Sequence, residues 1–183
     1  MAIVRLKTPI SEKEVRMLRA GDTVYLSGIV HTARDKANKR MLEEGKTPVH
    51  LGDGVLFHCG PLVRRNGRRW EVVGLGPTTS SRMDKYTPQL IVRFKPRIII
   101  GKGGVDEKSA SAFRKHGIAY LSMTGGCAAS SAKSVRKVLD VRWKELGLAE
   151  AMWTLEVEEL GPLTVAIDTS GGNFYRRLSR RRA

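Results

Sequence analysis

The pattern of apolar and polar positions predicts a helix, a strand and an exposed helix in the first quarter of the chain. Ser11 followed by Glu14 has the form of a capping box, which predicts a short helix over residues 12–20. The run TVYLSGIV at 23–30 predicts a strand. Residues 34–44 are polar on most faces and rich in helix formers, which is typical of an exposed helix.

The middle of the chain predicts two more strands and a helix. The strands cover 54–59 and 69–75, and the basic turn at 64–67 is predicted to join them, because its Asn-Gly pair is a hairpin signal. A Thr-Pro pair then begins a helix predicted over 87–94, since proline is well tolerated in a first helical turn.

The last third of the chain repeats the order strand, glycine loop, helix. The predicted strands and helices are 97–100, 106–116, 118–123 and 127–139, followed by strands over 153–160 and 163–169. Strands that alternate with helices favour parallel pairing, with the loops at the strand ends available to a ligand. The pattern therefore predicts an α/β domain with a candidate site at the carboxyl ends of its strands.

Length and composition favour a single folded domain. The chain has 183 residues, 41% of them hydrophobic, and no apolar run approaches the length of a membrane span. The N-terminal segment lacks the apolar core of a signal peptide, so we expect a cytoplasmic protein without a membrane partner. Cys59 and Cys127 are too few for a disulfide framework, and any metal cofactor would need most of its ligands from elsewhere.

The net charge is the extreme feature of the composition. Lys and Arg number 33 against 18 Asp and Glu, a formal charge of +15, which makes nucleic-acid binding an alternative function. The basic residues are nevertheless spread along the chain, and aromatic residues make up only 6% of it. An anionic substrate, an acidic partner subunit or solubility would account for the charge equally well. The tail at 176–183 is expected to be frayed.

The stretch GPTTSSRMD at 76–84 places four hydroxyl side chains between a Gly-Pro turn and Arg82. It could be an ordinary surface turn, because glycine, proline and serine collect in turns. It could also be an anion pocket, because hydroxyls and turn amides donate hydrogen bonds while arginine offers a planar fork to a carboxylate.

Two more cations occupy positions that suit an anion. Arg34 would lie at a helix N-terminus, where a positive charge costs helix stability unless Asp35 compensates for it. Lys102 lies between glycines at a strand end but lacks the spacing of a nucleotide-binding loop, which leaves a small-anion contact or a plain strand-to-helix turn. His31 is of interest because it lies close to Arg34, whereas the four histidines show no metal-binding spacing.

Several of these segments occur in the order known from one enzyme family. They are TARD at 32–35, GPTTSSRMD at 76–84, YTP at 86–88, GKG at 101–103, GG at 125–126 and VAID at 165–168. From about residue 4 to residue 175 the chain resembles the beta subunit of class I fumarate hydratase and L(+)-tartrate dehydratase. The resemblance implies a swivelling β/β/α domain with a mixed sheet and flanking helices, here residues 1–175, followed by the basic tail 176–183.

The resemblance also implies a partner and a set of site residues. In that family an alpha part binds a 4Fe-4S iron-sulfur cluster through three cysteines, in an α2β2 assembly, so the cluster would be held by the alpha subunit and no metal by this chain. Arg34, Arg82 and Lys102 would bind the substrate carboxylates, and Thr78 would be the catalytic hydroxyl. The supporting residues would be His31, Asp35, Thr79 and Asp84. The chain departs from the family pattern at Asn38 and Cys127.

The sequence therefore predicts the beta subunit of an iron-sulfur-dependent hydro-lyase that acts only with its alpha subunit. Interconversion of fumarate and L-malate is the first expectation and tartrate dehydration the second. A basic nucleic-acid-binding protein and a non-catalytic anion-binding module are the alternatives.

Overall fold

In a computed structural model, which describes residues 1–180, seven strands form one sheet and two form a separate hairpin. The strands are β1 Ile3–Lys7, β2 Thr23–Thr32, β3 Val55–Phe57, β4 Leu62–Asn66, β5 Arg69–Gly74, β6 Ile98–Gly101, β7 Ala119–Ser122, β8 Val135–Arg142 and β9 Met152–Ile167. The helices are α1 Glu12–Met17, α2 Asp35–Glu44, α3 Thr87–Phe94, α4 Glu107–His116, α5 Ala128–Ala132 and α6 Phe174–Arg180, with short 3-10 helices at Ser80–Met83 and Lys144–Leu146.

The large sheet is mixed, as predicted. Its order is β1-β2-β3-β6-β7-β9-β8, and β9 pairs in addition with β2. The strands from β1 to β7 in this order run parallel, whereas β9 runs antiparallel to β2, β7 and β8. The α/β class is thus confirmed, and so is parallel pairing across the first glycine loop, where β6 and β7 are parallel. After the second glycine loop the prediction is wrong, because β9 runs antiparallel to β7.

Both faces of the central strands are buried, which explains their continuous apolar sequence. Ile98 and Ile100 of β6 pack into one hydrophobic core, which also contains Trp153. Ile99 points to the opposite face, where Phe113 of α4 and Met41 of α2 form a second core with it. Helices α2, α3 and α4 therefore cover one face of the sheet, whereas α1 and β9 contribute to the core on the other face.

The predicted hairpin between 54–59 and 69–75 is wrong in its first strand. The Asn-Gly turn does make a hairpin, but it joins β5 to β4, with Asn66 opposite Arg69. The earlier strand, β3, pairs with β2 and β6 in the large sheet. Because β4 lies on the surface and is largely polar, it lacked the apolar pattern that would have revealed it.

The predicted helix over 127–139 is also wrong. Helix α5 ends at Ala132, and the chain continues as β8. Val135, Val138 and Val141 repeat every third residue, which imitates a helical period. In the strand, register shifts against β9 insert extra residues between these valines, so all three pack against the first core.

The C-terminal predictions need two further corrections. The Gly161-Pro162 pair does not separate two strands, because it lies inside the continuous strand β9, where a Cβ on Gly161 would lie 2.8 Å from the Val24 carbonyl oxygen. The start of the tail is helical, because α6 extends to Arg180 and Arg177 donates a hydrogen bond to the Ala20 carbonyl. Residues 181–183 lie outside the described residues. Between residues 1 and 180, no helix is long and apolar enough to cross a membrane.

Candidate active site

The carboxyl ends of four neighbouring parallel strands share one edge of the large sheet. Strands β2, β3, β6 and β7 are paired in that order, all parallel. Arg34 follows β2, His58 follows β3, and Lys102 follows β6. Because parallel strands end at the same edge, the topology brings these loops together.

Backbone hydrogen bonds attach the hydroxyl-rich turn to this edge. The Thr78 amide donates to the His58 carbonyl at 2.7 Å, and the Ser80 amide donates to the Lys102 carbonyl at 2.9 Å. Thr79 and Lys102 form an isolated parallel bridge. The backbone of the turn therefore pairs with the residues that follow β3 and β6, and the turn is not a free surface loop.

Arg34 lies at the N-cap of α2 and is held between two carboxylates. Its Nε is 3.4 Å from Glu150 Oε1, and its Nη2 is 4.0 Å from Asp35 Oδ2. Among residues 1–180, no group accepts a hydrogen bond from this buried Nε. The second oxygen of Glu150 accepts a hydrogen bond from the Lys36 amide at 2.9 Å, so this carboxylate also satisfies a free amide at the start of the helix.

Asp35 connects Arg34 to the hydroxyl-rich turn. Its Oδ2 accepts a hydrogen bond of 2.8 Å from Arg82 Nη2. Arg82 is about half exposed, whereas Asp35 is about a quarter exposed. Two guanidinium groups from distant parts of the sequence therefore meet at one carboxylate, and the sequence-predicted pairing of Asp35 with Arg34 is only part of this arrangement.

Lys102 and Thr78 are both half-buried at the same edge. Within residues 1–180, the Lys102 ammonium forms no ion pair and the Thr78 hydroxyl forms no hydrogen bond, in contrast to Arg34 and Arg82. Lys102 reaches toward the loop after β7, where a Cβ on Gly125 would lie 3.3 Å from its Cδ. This ammonium and this hydroxyl are thus free to contact a ligand.

Glycines make room for two of the cations. A Cβ on Gly60 would lie 2.5 Å from Arg34 Cδ and 3.0 Å from Arg34 Nη1, so only glycine lets this arginine lie against the loop after β3. Gly125 does the same for Lys102. Both glycines act through close approach, whereas Gly126, at φ 81°, is required for its backbone angle.

His58 is a residue of this edge that sequence reasoning missed. Its side chain is 1% exposed, and its Nδ1 lies 3.0 Å from Ser80 Oγ. Its Nε2 has no hydrogen-bond partner in the part of the chain that the structure describes. Burial lowers the pKa of its imidazole to about 4, so the ring is neutral near pH 7. The signal that could have found it is its position directly after a buried strand, which it shares with the loop of Lys102.

Two predicted supporting residues lie outside the arginine pair. His31 is buried within β2, and its Nδ1 is 3.0 Å from Thr154 Oγ1; burial, with a smaller effect of His50, lowers the pKa of its imidazole to about 4. Asp84 accepts hydrogen bonds from the Asp106 amide and the Ser109 hydroxyl, both at 2.9 Å, and therefore ties the turn to α4. Partial burial raises the pKa of the Asp84 carboxyl, and these hydrogen bonds oppose the rise.

The two departures from the family pattern have different surroundings. Asn38 is fully buried in α2, and its Nδ2 is 3.2 Å from Met83 Sδ. It therefore lies beneath the turn that carries Arg82. No residue from 1 to 180 donates a hydrogen bond to Asn38 Oδ1. Cys127 is the N-cap of α5, and its thiol donates to the Thr124 carbonyl at 2.8 Å.

Comparison with known proteins finds relatives that match most of this chain. The L(+)-tartrate dehydratase subunit beta of Escherichia coli strain K12 is 38% identical over 170 residues, which are 92% of this chain and 85% of that protein. A Methanocaldococcus jannaschii protein named as the same subunit is 38% identical, over 94% of this chain and 91% of its own. A Geobacillus stearothermophilus protein named as a class I fumarate hydratase is 35% identical over 97% of this chain, but only 34% of its own length is matched.

A family model, described as Fumarase C-terminus, matches residues 1–178. This match includes every predicted site residue and all but the last two residues of α6. The chain therefore belongs to the Fumarase C-terminus family.

Proposed function

We propose that this chain is the carboxylate-binding beta subunit of a hydro-lyase that either interconverts fumarate and L-malate or dehydrates tartrate. The observation that supports this most is that Arg34 and Arg82 share Asp35, while the backbone of Lys102 is bridged to Thr79, next to Thr78, at the same edge of the sheet. The names of the relatives support the reaction class, since they are tartrate dehydratase beta subunits and a fumarate hydratase.

The three cations would bind the two carboxylates of the substrate. A guanidinium can hold a carboxylate through two parallel hydrogen bonds, and a lysine ammonium adds a point charge. Asp35 forms an ion pair with Arg82, so a substrate carboxylate would have to displace the Asp35 carboxylate from this guanidinium or bind beside it. The fixed cations would hold the dianion in position and stabilise the additional charge that develops on a carboxylate when the adjacent carbon loses a proton.

Thr78 would take or give the proton at the substrate carbon through its Oγ1. A threonine hydroxyl is a poor base by itself, so it needs a nearby cation or a relay. Its backbone amide is fixed by His58, and the next residue pairs with Lys102, which brings the hydroxyl into the neighbourhood of the cations. In this proposal Thr79 and Asp84 support the turn rather than contact the substrate.

The residues of this chain do not fit an iron-sulfur cluster. No three His, Cys, Asp or Glu side chains among residues 1–180 are grouped as metal ligands. Burial raises the pKa of the Cys59 thiol far above its usual range, which disfavours the thiolate that an iron ligand requires. The Cys127 thiol donates a hydrogen bond to a backbone carbonyl. We therefore assign any cluster of the working enzyme to the alpha subunit.

The partner is part of the same proposal. The tartrate dehydratase relatives are named as beta subunits, and the fumarate hydratase relative is about three times as long as the matched region, so its remaining part would correspond to an alpha subunit. We propose that residues 1–175 form one swivelling domain, that 176–183 form a basic extension, and that two copies of each subunit assemble. The chain would then supply half of a site that closes against the alpha subunit.

Reconstitution tests this function. The chain should be inactive alone, and mixing it with the alpha subunit under anaerobic conditions should produce hydration of fumarate or dehydration of tartrate. An inactive complex, together with a chain that binds duplex DNA with a steep salt dependence, would favour the nucleic-acid alternative. The Trp70 ring is a poor stacking platform for a base, because the Arg65 guanidinium already covers it at 4.2 Å.

A further inference from the structure

A row of buried polar side chains runs beneath the candidate site. It begins at His58, whose Nδ1 is 3.0 Å from Ser80 Oγ. It ends at Tyr120, a buried residue of β7 whose hydroxyl donates to the Gly103 carbonyl at 2.8 Å. Burial raises the pKa of the Tyr120 phenol, and a hydrogen bond with Ser80 opposes the rise. His58, Ser80 and Tyr120 therefore link the end of β3 to the loop that contains Lys102.

Gly101 allows this row to form. A Cβ at Gly101 would overlap Ser80 Oγ and would lie 3.2 Å from Tyr120 Oη. Both hydroxyls therefore lie against the bare face of the glycine that immediately precedes Lys102. No positive φ is involved, so the glycine is needed for space and not for its backbone angle.

The hydrogen bonds of the row have a preferred direction. If His58 Nδ1–H donates to Ser80 Oγ, the Ser80 hydroxyl is left to donate toward Tyr120 Oη, which lies against the same face of Gly101, and Tyr120 donates to the Gly103 carbonyl. Every donor then has an acceptor, and Nε2 is left as an unprotonated acceptor. The opposite tautomer would leave a buried N–H without a partner, which costs more.

We propose that His58, Ser80 and Tyr120 are positioning residues that fix the Lys102–Gly103 loop against the Thr78 turn and thereby set the affinity for the dicarboxylate. This inference rests on the proposed function. The row acts at both ends of the turn, because the His58 carbonyl also accepts the Thr78 amide and the Lys102 carbonyl accepts the Ser80 amide. The backbones of the Thr78 turn and of the Lys102 loop are thereby held together.

Tyr120→Phe tests the proposal, because it removes one hydroxyl and keeps the ring. Tyr175→Phe is the matched control: it also removes a phenol hydroxyl, which bonds Ser122 at 2.7 Å, but not a bond to the Lys102 loop. In the full chain, we expect Tyr120→Phe to accelerate amide hydrogen exchange about fivefold in residues 101–105, and Tyr175→Phe to leave it unchanged.

In the complex with the alpha subunit, Tyr120→Phe should raise KM for the dicarboxylate about fivefold with kcat within about twofold of wild type. Ser80→Ala should act in the same direction. The double variant Ser80→Ala/Tyr120→Phe should be no worse than the stronger single variant, because either change breaks the same row. A merely structural role would instead lower the melting temperature without changing KM.

The two measurements separate this inference from the proposed function. Exchange in residues 101–105 that is identical in Tyr120→Phe, Tyr175→Phe and wild type would overturn the positioning role, whatever the complex catalyses. Additive effects of Ser80→Ala and Tyr120→Phe on KM would overturn it as well. An inactive wild-type complex would reject the proposed function, while the exchange measurement would still decide whether the row fixes the loop.

Discussion

Nη2 of Arg82 donates a hydrogen bond of 2.8 Å to Oδ2 of Asp35. Asp35 is the first residue of α2, and the N-cap of that helix is Arg34, whose charge opposes the helix dipole. The single carboxylate therefore compensates the unfavourable position of Arg34 and holds Arg82 beside it. The contact between Asp35 and Arg82 is of the same kind as the one that we propose between a substrate carboxylate and Arg82.

Asp35→Asn should destabilise the chain by about 1 kcal/mol in the free energy of unfolding, because it leaves two guanidinium groups together and removes a first-turn acid. Part of the loss should be recovered at high salt, which screens the repulsion. Urea unfolding at low and high ionic strength measures this. Asp140→Asn is the control, since it removes a carboxylate from the Asp140–Arg142 ion pair of β8, whose two side chains are exposed to solvent. Equal losses in the two variants would show that Asp35 has no special role.

Gly60→Ala should weaken substrate binding without a large change in kcat. The new Cβ would collide with Arg34 Cδ and with the Ala149 carbonyl oxygen, so the guanidinium would move from its position. We expect KM to rise about tenfold or more. Gly104→Ala is the control, because its Cβ would meet nothing closer than 4.0 Å. A KM that stays unchanged in Gly60→Ala would mean that the position of Arg34 does not matter.

The sequence indicated part of this site and concealed the rest. Arg34 and Lys102 could be predicted because each follows a recognisable strand, and parallel strands end at one edge. His58 was hidden because it fell inside the strand predicted over 54–59, whereas β3 ends at Phe57, and Gly60 was hidden because its function is close approach to a distant arginine. Neither property leaves a local pattern, since both depend on which loops the folded chain brings together.

The same limit explains the errors in the fold. The three valines of β8 have a helical spacing, and only the register shifts against β9 make them face one core. Pairing with a strand that follows later in the chain cannot be inferred from a local period. Helices that begin with a capping motif were predicted more accurately. The capping box of Ser11 and Glu14 is present, although α1 ends at Met17 and not at residue 20 as predicted.

Acid should weaken the fold through two buried histidines. Burial lowers the pKa of His58 and that of His31 to about 4, compared with about 6.5 in an unfolded chain. Between about pH 6.5 and pH 4 the unfolded state binds more protons than the folded state. The free energy of unfolding is therefore highest above about pH 6.5 and decreases as the pH falls toward about 4. The loss should approach roughly 3 kcal/mol for each histidine.

His58→Gln should therefore flatten the fall in unfolding free energy between about pH 6.5 and pH 4, even though it lowers stability at neutral pH. Urea unfolding over this pH range measures the slope. A His58→Gln slope that matches wild type would contradict a buried neutral imidazole.

Thr78→Val should abolish most of the catalysis while leaving binding nearly intact. The change keeps the volume and removes the hydroxyl that we propose for proton transfer, so kcat should fall by about a hundredfold or more with KM within a few-fold of wild type. Thr78→Ser should retain much of the activity, because it keeps Oγ. If Thr78→Val and Thr78→Ser have the same kcat, the hydroxyl is not the proton carrier.

The central claim is that Arg34, Arg82 and Lys102 bind one small dianion. The most direct measurement is a crystal structure of the complex with the alpha subunit, with malate or tartrate bound. It should show both guanidinium groups and the Lys102 ammonium within hydrogen-bond distance of the two substrate carboxylates, with one substrate oxygen at Arg82 where Asp35 Oδ2 now lies. A dicarboxylate held entirely by the alpha subunit, with the Arg82–Asp35 contact undisturbed, would contradict the account.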